Sequence, residues 1–423
     1  MDIEGYLKAM PKAEIHVHLE GSMRPEILLQ LATKNDVDLP GKTVETIQQW
    51  YVFRDFSHFV EIYITICRTL QKPEDFTLIA YDLGKTLAEQ NVRYAEVTTT
   101  PGLHIYGNGL DFRTWLESIN AGRQQAKDEF GIEMRWIMDL ARNLDSERAE
   151  ELVALIASDY ARDNGVVALG LGGAEVGFPP EMFEAAFAQA RERGLPGNPH
   201  AGETVGPVSI WGALRSLKAT RIGHGVRAIE DPELVTYLVE HQIPLEVCPT
   251  SNLCLGVFPS YEAHSLKQLV EAGVVVTINS DDPPMFNTTI NDEYLHVFKD
   301  CGLTLPQIEK ATLEAVRVSY LPDKRKRELV DDFQTTFNRL RGEFGIDPAS
   351  SQQSPGWIED FWAGILSREP ERIRAAFQQL QDAEERSGTI QHLQRMVSED
   401  GWAEPQRVSA QRALDALRPI IDV

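Results

Sequence analysis

Residues 195–225 read LPGNPHAGETVGPVSIWGALRSLKATRIGHG, and two short runs inside this stretch, 195–200 and 220–224, each end on a histidine. Short runs bounded by Gly and Pro and joined by a longer segment are the pattern of buried parallel strands linked through helices. Working outward, similar runs recur at 14–18, 93–98, 133–139 and 166–171 on one side and at 244–247 and 274–280 on the other. Between them, stretches such as 180–193 (PEMFEAAFAQARER) and 231–240 (DPELVTYLVE) repeat apolar residues at intervals of three and four, as an amphipathic helix requires. Strands alternating with helices in this way predict an α/β fold closed into a (β/α)8 barrel of the TIM type. The competing open, doubly wound sheet usually carries a GxGxxG turn after an early strand, and none stands there.

A chain of 423 residues exceeds one such core, so a barrel over 1–344 with extra helices and a helical C-terminal extension over 345–423 is expected. The long insertion between the first two strands contains WYVFRDFSHF at 50–59. Insertions in strand-to-helix loops lie over the active face of a barrel, so this one reads as a lid. Residues 345–356 (GIDPASSQQSPG) read as a turn-rich connector. Beyond it, Trp357, Phe361, Trp362 and Phe377 are expected to pack against the barrel.

Against 41 Lys and Arg stand 64 Asp and Glu, a net charge of −23 that repels polyanions and argues against a nucleic-acid partner. Four cysteines without CxxC spacing fit reduced, intracellular thiols. No apolar stretch approaches the roughly 20 residues of a membrane span, and the N-terminus lacks the apolar segment of a secretory signal. The expectation is a cytoplasmic protein acting on a small molecule, with no membrane partner; the sequence leaves homo-oligomerisation open.

In His16-Val17-His18, strand alternation turns both imidazoles to one side. His200, His224 and the pair Asp281-Asp282 end three later strands, the positions that form the catalytic face of a barrel. Each alone has an ordinary reading, as a hydrogen-bonded core histidine or a turn aspartate. Placing all of them on one rim by chance is much harder, and three imidazoles with a carboxylate make a donor set suited to zinc.

The motifs HVHLEGS (16–22), HAGET (200–204), RIGHG (221–225), CPTSN (248–252) and SDDP (280–283) resemble, in type and order, those of the adenosine deaminase family within the amidohydrolase superfamily. The resemblance covers roughly residues 10–320. It implies one zinc ion held by His16, His18, His200 and Asp281, with Glu203 as the proton shuttle and His224 beside the attacking water. It also places Asp282 at purine N7, the backbone N–H of Gly173 at N3 and Glu20 near the ribose 5′ end. Phe56 and Phe59, three apart, would face the base or the 5′ group, with core packing as their alternative reading. The implied reaction is hydrolytic removal of the 6-amino group of an adenosine-type nucleoside, with ammonia as product. GLGGAEVG, HAGETVGP and IPLEVCPTSN look most like the bacterial aminodeoxyfutalosine deaminases of the family. Free adenine as substrate, or another metal-dependent amidohydrolase activity, is the alternative. No lysine occurs in 166–173, so the resemblance implies one metal ion rather than two. His58 and His104 read as surface or loop histidines, and His264 as support for the outer layer of the site.

Overall fold

The computed structural model of the chain describes residues 2–346, 362, 364–378, 380, 383–398, 402 and 404–421. The connector read at 345–356 lies outside them from 347 onward, as do Trp357 and Phe361. Eight strands, β1 (Lys12–His18), β2 (Val92–Thr99), β3 (Glu133–Ala141), β4 (Val166–Gly172), β5 (Gly197–Ala201), β6 (Ile222–His224), β7 (Leu245–Val247) and β8 (Val276–Ile278), pair in sequence order. Every adjacent pair is parallel. Beyond the end of β8 the backbone of Asp281 bonds β1 on both sides: His18 N–H donates to Asp281 O at 2.9 Å and Asp281 N–H to His16 O at 3.2 Å. The sheet thus curls into a TIM-type (β/α)8 barrel.

β1 is buried along its whole length, and alternation divides it. Ala13, Ile15 and Val17 belong to the apolar core, while Lys12, Glu14, His16 and His18 are buried polar residues of the opposite face. Barrels of this type usually fill their interiors with Val, Ile and Leu; here Glu14, Glu96, Arg221 and Glu246 are all buried. Arg221 is ion-paired to Glu96 at 2.6 Å and to Glu246 at 2.7 Å, and its guanidinium stacks over Tyr320 at 4.0 Å. Burial alone would lower the pKa of Arg221, but Glu96 and Glu246 outweigh it and the guanidinium stays charged.

The segment read as one helix at 180–193 is divided, with a 3-10 turn at Pro180–Phe183 leading into the helix Glu184–Glu192. The helix Pro232–Glu240 starts at Asp231, whose carboxylate caps the N–H groups of Glu233 and Leu234. The β1–β2 insertion folds into four helices, Pro25–Lys34, Val44–Trp50, Phe56–Cys67 and Pro73–Glu89.

The chain divides into two compact units, Met1–Asp347 and Pro348–Val423. The second contains the helices Pro370–Gln378, Ala383–Ser398 and Glu404–Ile421. Its apolar faces make a core of their own, in which Phe377 is buried beside Leu393, Met396 and Leu417, with Trp362 packed against it. Of the tail aromatics, Phe377 and Trp362 thus take part in the core of this unit, since amphipathic helices can bury their apolar faces among themselves. Among the described residues no helix is long and apolar enough to cross a membrane.

Candidate active site

At the C-terminal mouth of the barrel, the side chains of β1, β5, β6 and the β8 end meet. His18 Nε2 lies 3.2 Å from His200 Nε2 and 3.2 Å from Asp281 Oδ1, and His16 Nε2 lies 3.5 Å from the same oxygen. Such separations are near what four ligands about 2.1 Å from a common centre would show. The outer atoms of these rings are spoken for: His16 Nδ1 bonds Glu246 Oε2 at 2.8 Å and His200 Nδ1 donates to the Leu171 carbonyl at 3.1 Å. These bonds set the tautomers so that the Nε2 lone pairs face inward, the arrangement expected of ligating histidines. His16 Nε2 is buried and has no hydrogen-bond partner among the described residues, as an atom reserved for a metal would be. Asp281 keeps Oδ1 for the cluster because Oδ2 accepts from Ser251 Oγ at 2.6 Å.

Among the described residues the metal-competent groupings are two, His16 with His200, His224 and Asp281, and His18 with Asp281 and Asp282. The network around His224 separates its role from the others. Asn252 Nδ2 lies 3.3 Å from His224 Nδ1, Asn252 Oδ1 lies 3.1 Å from His264 Nε2, and the Leu266 N–H donates to His264 Nδ1 at 3.0 Å. With that amide orientation His264 donates, Asn252 passes the polarity on, and His224 accepts at Nδ1 and carries its proton on Nε2. Burial holds both rings neutral, with pKa values down at about 3 for His264 and about 4 for His224. His224 Nε2–H therefore points as a donor toward Glu203 Oε1, 3.7 Å away, and Asp281 Oδ2, 3.8 Å away. His224 and Asp281 both sit in the left-handed region, at φ 58° and 65°, a conformation non-glycine residues adopt where the surroundings enforce it.

Glu203 and Asp282 complete the polar floor. Both are buried, and both have a carboxyl oxygen without a hydrogen-bond partner among the described residues, Oε1 and Oδ1 respectively. Burial, with Asp281 adding to it, pushes the Glu203 carboxyl well above its ordinary pKa, so it is protonated at acidities where a surface carboxyl is ionised. Asp282 is raised in the same direction, again chiefly by burial. Glu203 rides on the turn after β5, whose N–H groups at Gly202, Glu203, Thr204 and Val205 all donate to the carboxylate of Glu175. Burial alone would raise the pKa of Glu175, but Ser209, Arg142 and those N–H donors hold it below the usual range.

The cleft above this floor takes in about 940 Å³ together with its open mouth. Phe56, Phe59, Tyr63 and Ile64 of the insertion helix form its roof, with Gly173 and Asp139 on another wall. Phe59 stacks on Phe286 at 5.5 Å and also meets Phe53 and Tyr63. Gly173 has φ 96°, which a residue with a Cβ rarely adopts.

The sequence-chosen residues His16, His18, His200, Glu203, His224, Asp281 and Asp282 thus come together, and Phe56, Phe59 and Gly173 line the same cleft. Glu20 does not line it. The Glu20 carboxylate is wholly buried and spent on Thr99 Oγ1 at 2.7 Å, the Thr100 N–H at 3.1 Å, His104 Nε2 at 2.9 Å and Tyr63 OH at 3.2 Å. It braces the wall from behind, and His104, expected at the surface, is buried as its partner. Sequence reasoning also missed Glu175, Glu246, Arg221 and Asp139. The available signal for Glu246 was a carboxylate inside the apolar run IPLEV.

A buried His/Asp cluster that could hold a metal, with an adjacent carboxyl whose pKa burial raises, at the mouth of a (β/α)8 barrel, fits a hydrolase of the amidohydrolase superfamily. A family model described as Adenosine deaminase matches residues 11–336. An aminodeoxyfutalosine deaminase of Streptomyces avermitilis is 40% identical over 334 residues, 79% of this chain and 93% of the relative. An adenine deaminase of Acinetobacter baylyi is 35% identical over 326 residues, 77% of this chain and 97% of its own length. The crystal structure of an adenine deaminase from Arthrobacter aurescens superposes with a TM-score of 0.74 at 31% identity, covering 78% of this chain and 100% of that one. The chain belongs to the adenosine deaminase family, whose members are hydrolases acting on C–N bonds.

Proposed function

We propose that this protein is a zinc-dependent hydrolytic deaminase that replaces the 6-amino group of an adenosine-type nucleoside, adenosine or aminodeoxyfutalosine, with oxygen and releases ammonia. The observation that carries the reading is the convergence of three inward Nε2 atoms and Asp281 Oδ1 beside the raised carboxyl of Glu203. His16, His18, His200 and Asp281 would hold one zinc ion. Zinc in that position would supply a water nucleophile at neutral pH by lowering its pKa toward about 7.

The remaining steps belong to the chain's own side chains. Glu203 delivers a proton to N1 as electrons move onto the ring, which makes C6 a better electrophile. His224 offers Nε2–H to the oxygen that becomes bonded at C6. Asp282, protonated, donates to N7, and the backbone N–H of Gly173 meets N3. Glu203, reprotonated by the oxygen that joins C6, passes that proton to the departing amine and recovers the oxygen's second proton, so water and the 6-aminopurine leave as ammonia and the 6-oxopurine.

The nucleoside reading draws on the relative named aminodeoxyfutalosine deaminase and on the apolar roof, which offers surface beyond what a bare base fills. The relatives named adenine deaminases favour the free base as the second reading. A small-molecule substrate and a cytoplasmic location accompany the proposal. Ammonia release from adenosine, aminodeoxyfutalosine and adenine, measured side by side with a chelated control, tests it. Chelator-sensitive turnover of a nucleoside well above adenine supports it, and preference for adenine replaces it with the second reading.

A further inference from the structure

Asp139, near the end of β3, is 1% exposed and lines the cleft, and among the described residues neither of its carboxylate oxygens has a hydrogen-bond partner. It lies 3.8 Å from His200 Nδ1, and that nitrogen already donates to Leu171 O at 3.1 Å. A buried carboxylate left in this state is costly, and proteins keep such groups where a ligand supplies the missing donors.

The neighbouring strand is shaped to admit this carboxylate. A Cβ on Gly170 would stand 1.8 Å from Asp139 Oδ1, and one on Gly172 would stand 2.3 Å from Oδ2. The carboxylate therefore lies across two glycines of β4, and any side chain there would displace it. Together the two glycines and the aspartate build a buried recess in the cleft wall that holds two acceptors.

The order of the strands indicates what reaches this recess. In the proposed reaction C6 lies over the cluster from β1, β5 and β8, N1 meets Glu203 after β5, N3 meets Gly173 after β4, and N7 meets Asp282 after β8. The substituent on N9 then leads toward the unused arc of the barrel, where Thr100 follows β2 and Asp139 stands on β3.

We propose that Asp139 is a specificity-determining residue whose two oxygens accept hydrogen bonds from the sugar hydroxyls of a 6-aminopurine nucleoside. The inference rests on the deaminase reading and deepens it, by assigning the residue that separates a nucleoside from a base or a deoxy analogue.

The test compares kcat/KM for adenosine, 2′,3′-dideoxyadenosine and adenine in the wild-type holoenzyme, Asp139→Ala and Asp139→Asn, with metal content and thermal unfolding measured for each. In the wild type adenosine should exceed the dideoxy compound by roughly 10- to 150-fold, the range for a hydrogen bond to a charged acceptor. In Asp139→Ala that ratio should fall toward one, because adenosine loses rate and the dideoxy compound holds it. Asp139→Asn, which keeps the shape and one acceptor, should give an intermediate ratio at unchanged metal content. A purely structural residue would lower all substrates by one factor and leave the ratio intact, which overturns the proposal. A loss concentrated on adenine also overturns it, since the carboxylate would then hold the N9–H of a free base. No ammonia from any of these or from aminodeoxyfutalosine by the wild type would remove the deaminase reading and this inference together; turnover with an unmoved ratio removes this inference alone.

Discussion

Replacing Glu175 with Gln tests whether the catalytic turn is held by one buried charge. In the structure Oε1 of Glu175 accepts from the N–H groups of Glu203 at 3.0 Å, Thr204 at 2.8 Å and Val205 at 3.3 Å, while Oε2 accepts from Gly202 N–H at 2.9 Å. Glutamine retains one oxygen, and three donors favour placing it where Oε1 was. The amide NH2 then faces the Gly202 N–H, leaving a buried donor unmatched at about 1–3 kcal/mol. Loss of charge weakens the three remaining bonds by about 1 kcal/mol each, and easier burial of a neutral amide offsets part of the sum. The net is a loss of about 3 kcal/mol, which a domain with a typical 5–15 kcal/mol survives.

The turn, not the whole barrel, should carry that loss. Glu203 would shift, and a displacement of about 1 Å at a proton-transfer group lowers kcat about 100-fold. Urea unfolding at neutral pH, kcat, metal content and amide exchange at 202–205 measure the parts separately. A variant within about 0.5 kcal/mol of wild type with unchanged kcat would refute the reasoning. The pH dependence has a definite sign. Because Glu175 titrates below its ordinary 4.5 in the fold, its contribution is present above that pH and is lost as pH falls through its folded value. The stability gap between wild type and variant should therefore shrink below about pH 4.5.

Further outcomes separate the other roles. Glu246→Gln leaves one oxygen to serve both His16 and Arg221 and removes the charge that strengthens the bond to His16, so metal affinity should fall about 10- to 100-fold in a competition with a chelator. In Gly21→Ala the new Cβ would stand 1.5 Å from Asp282 Oδ1, so kcat/KM should collapse while metal content holds. Asn252→Asp, forced to accept from both rings, should move the His224 proton to Nδ1 and remove the Nε2–H donor, at about 100-fold or more in kcat with metal retained. Full activity in Asn252→Asp would show that His224 does not act as that donor.

The strands and the inward residues they carry were legible because each depends on a local pattern. The first strand, for example, is read as a short run at 14–18 with alternation in His16-Val17-His18, and is found at Lys12–His18. Motif order brought His200, His224 and Asp281 onto the same rim for the same reason, since the end of a parallel strand is fixed by the strand itself. What escaped were residues whose meaning depends on partners far away in the chain. Glu175 gains its role from a turn that begins at Gly202, and Glu246 from His16 at the other end of the sequence. His104 was misread as a surface or loop histidine, because only its contact with Glu20 at 2.9 Å shows the two as buried partners. Asp139 was silent because its signal is the missing side chain at Gly170 and Gly172 on the next strand.

The central claim, that water replaces the 6-amino group at C6 with Glu203 moving the protons, is tested most directly by turnover in heavy-oxygen water, with product mass and ammonia followed together in the wild type and in Glu203→Gln. The account predicts one labelled oxygen at C6 for each ammonia released by the wild type, and a Glu203→Gln protein that retains its metal and releases essentially none. Ammonia without label at C6, or undiminished release by Glu203→Gln, would contradict it.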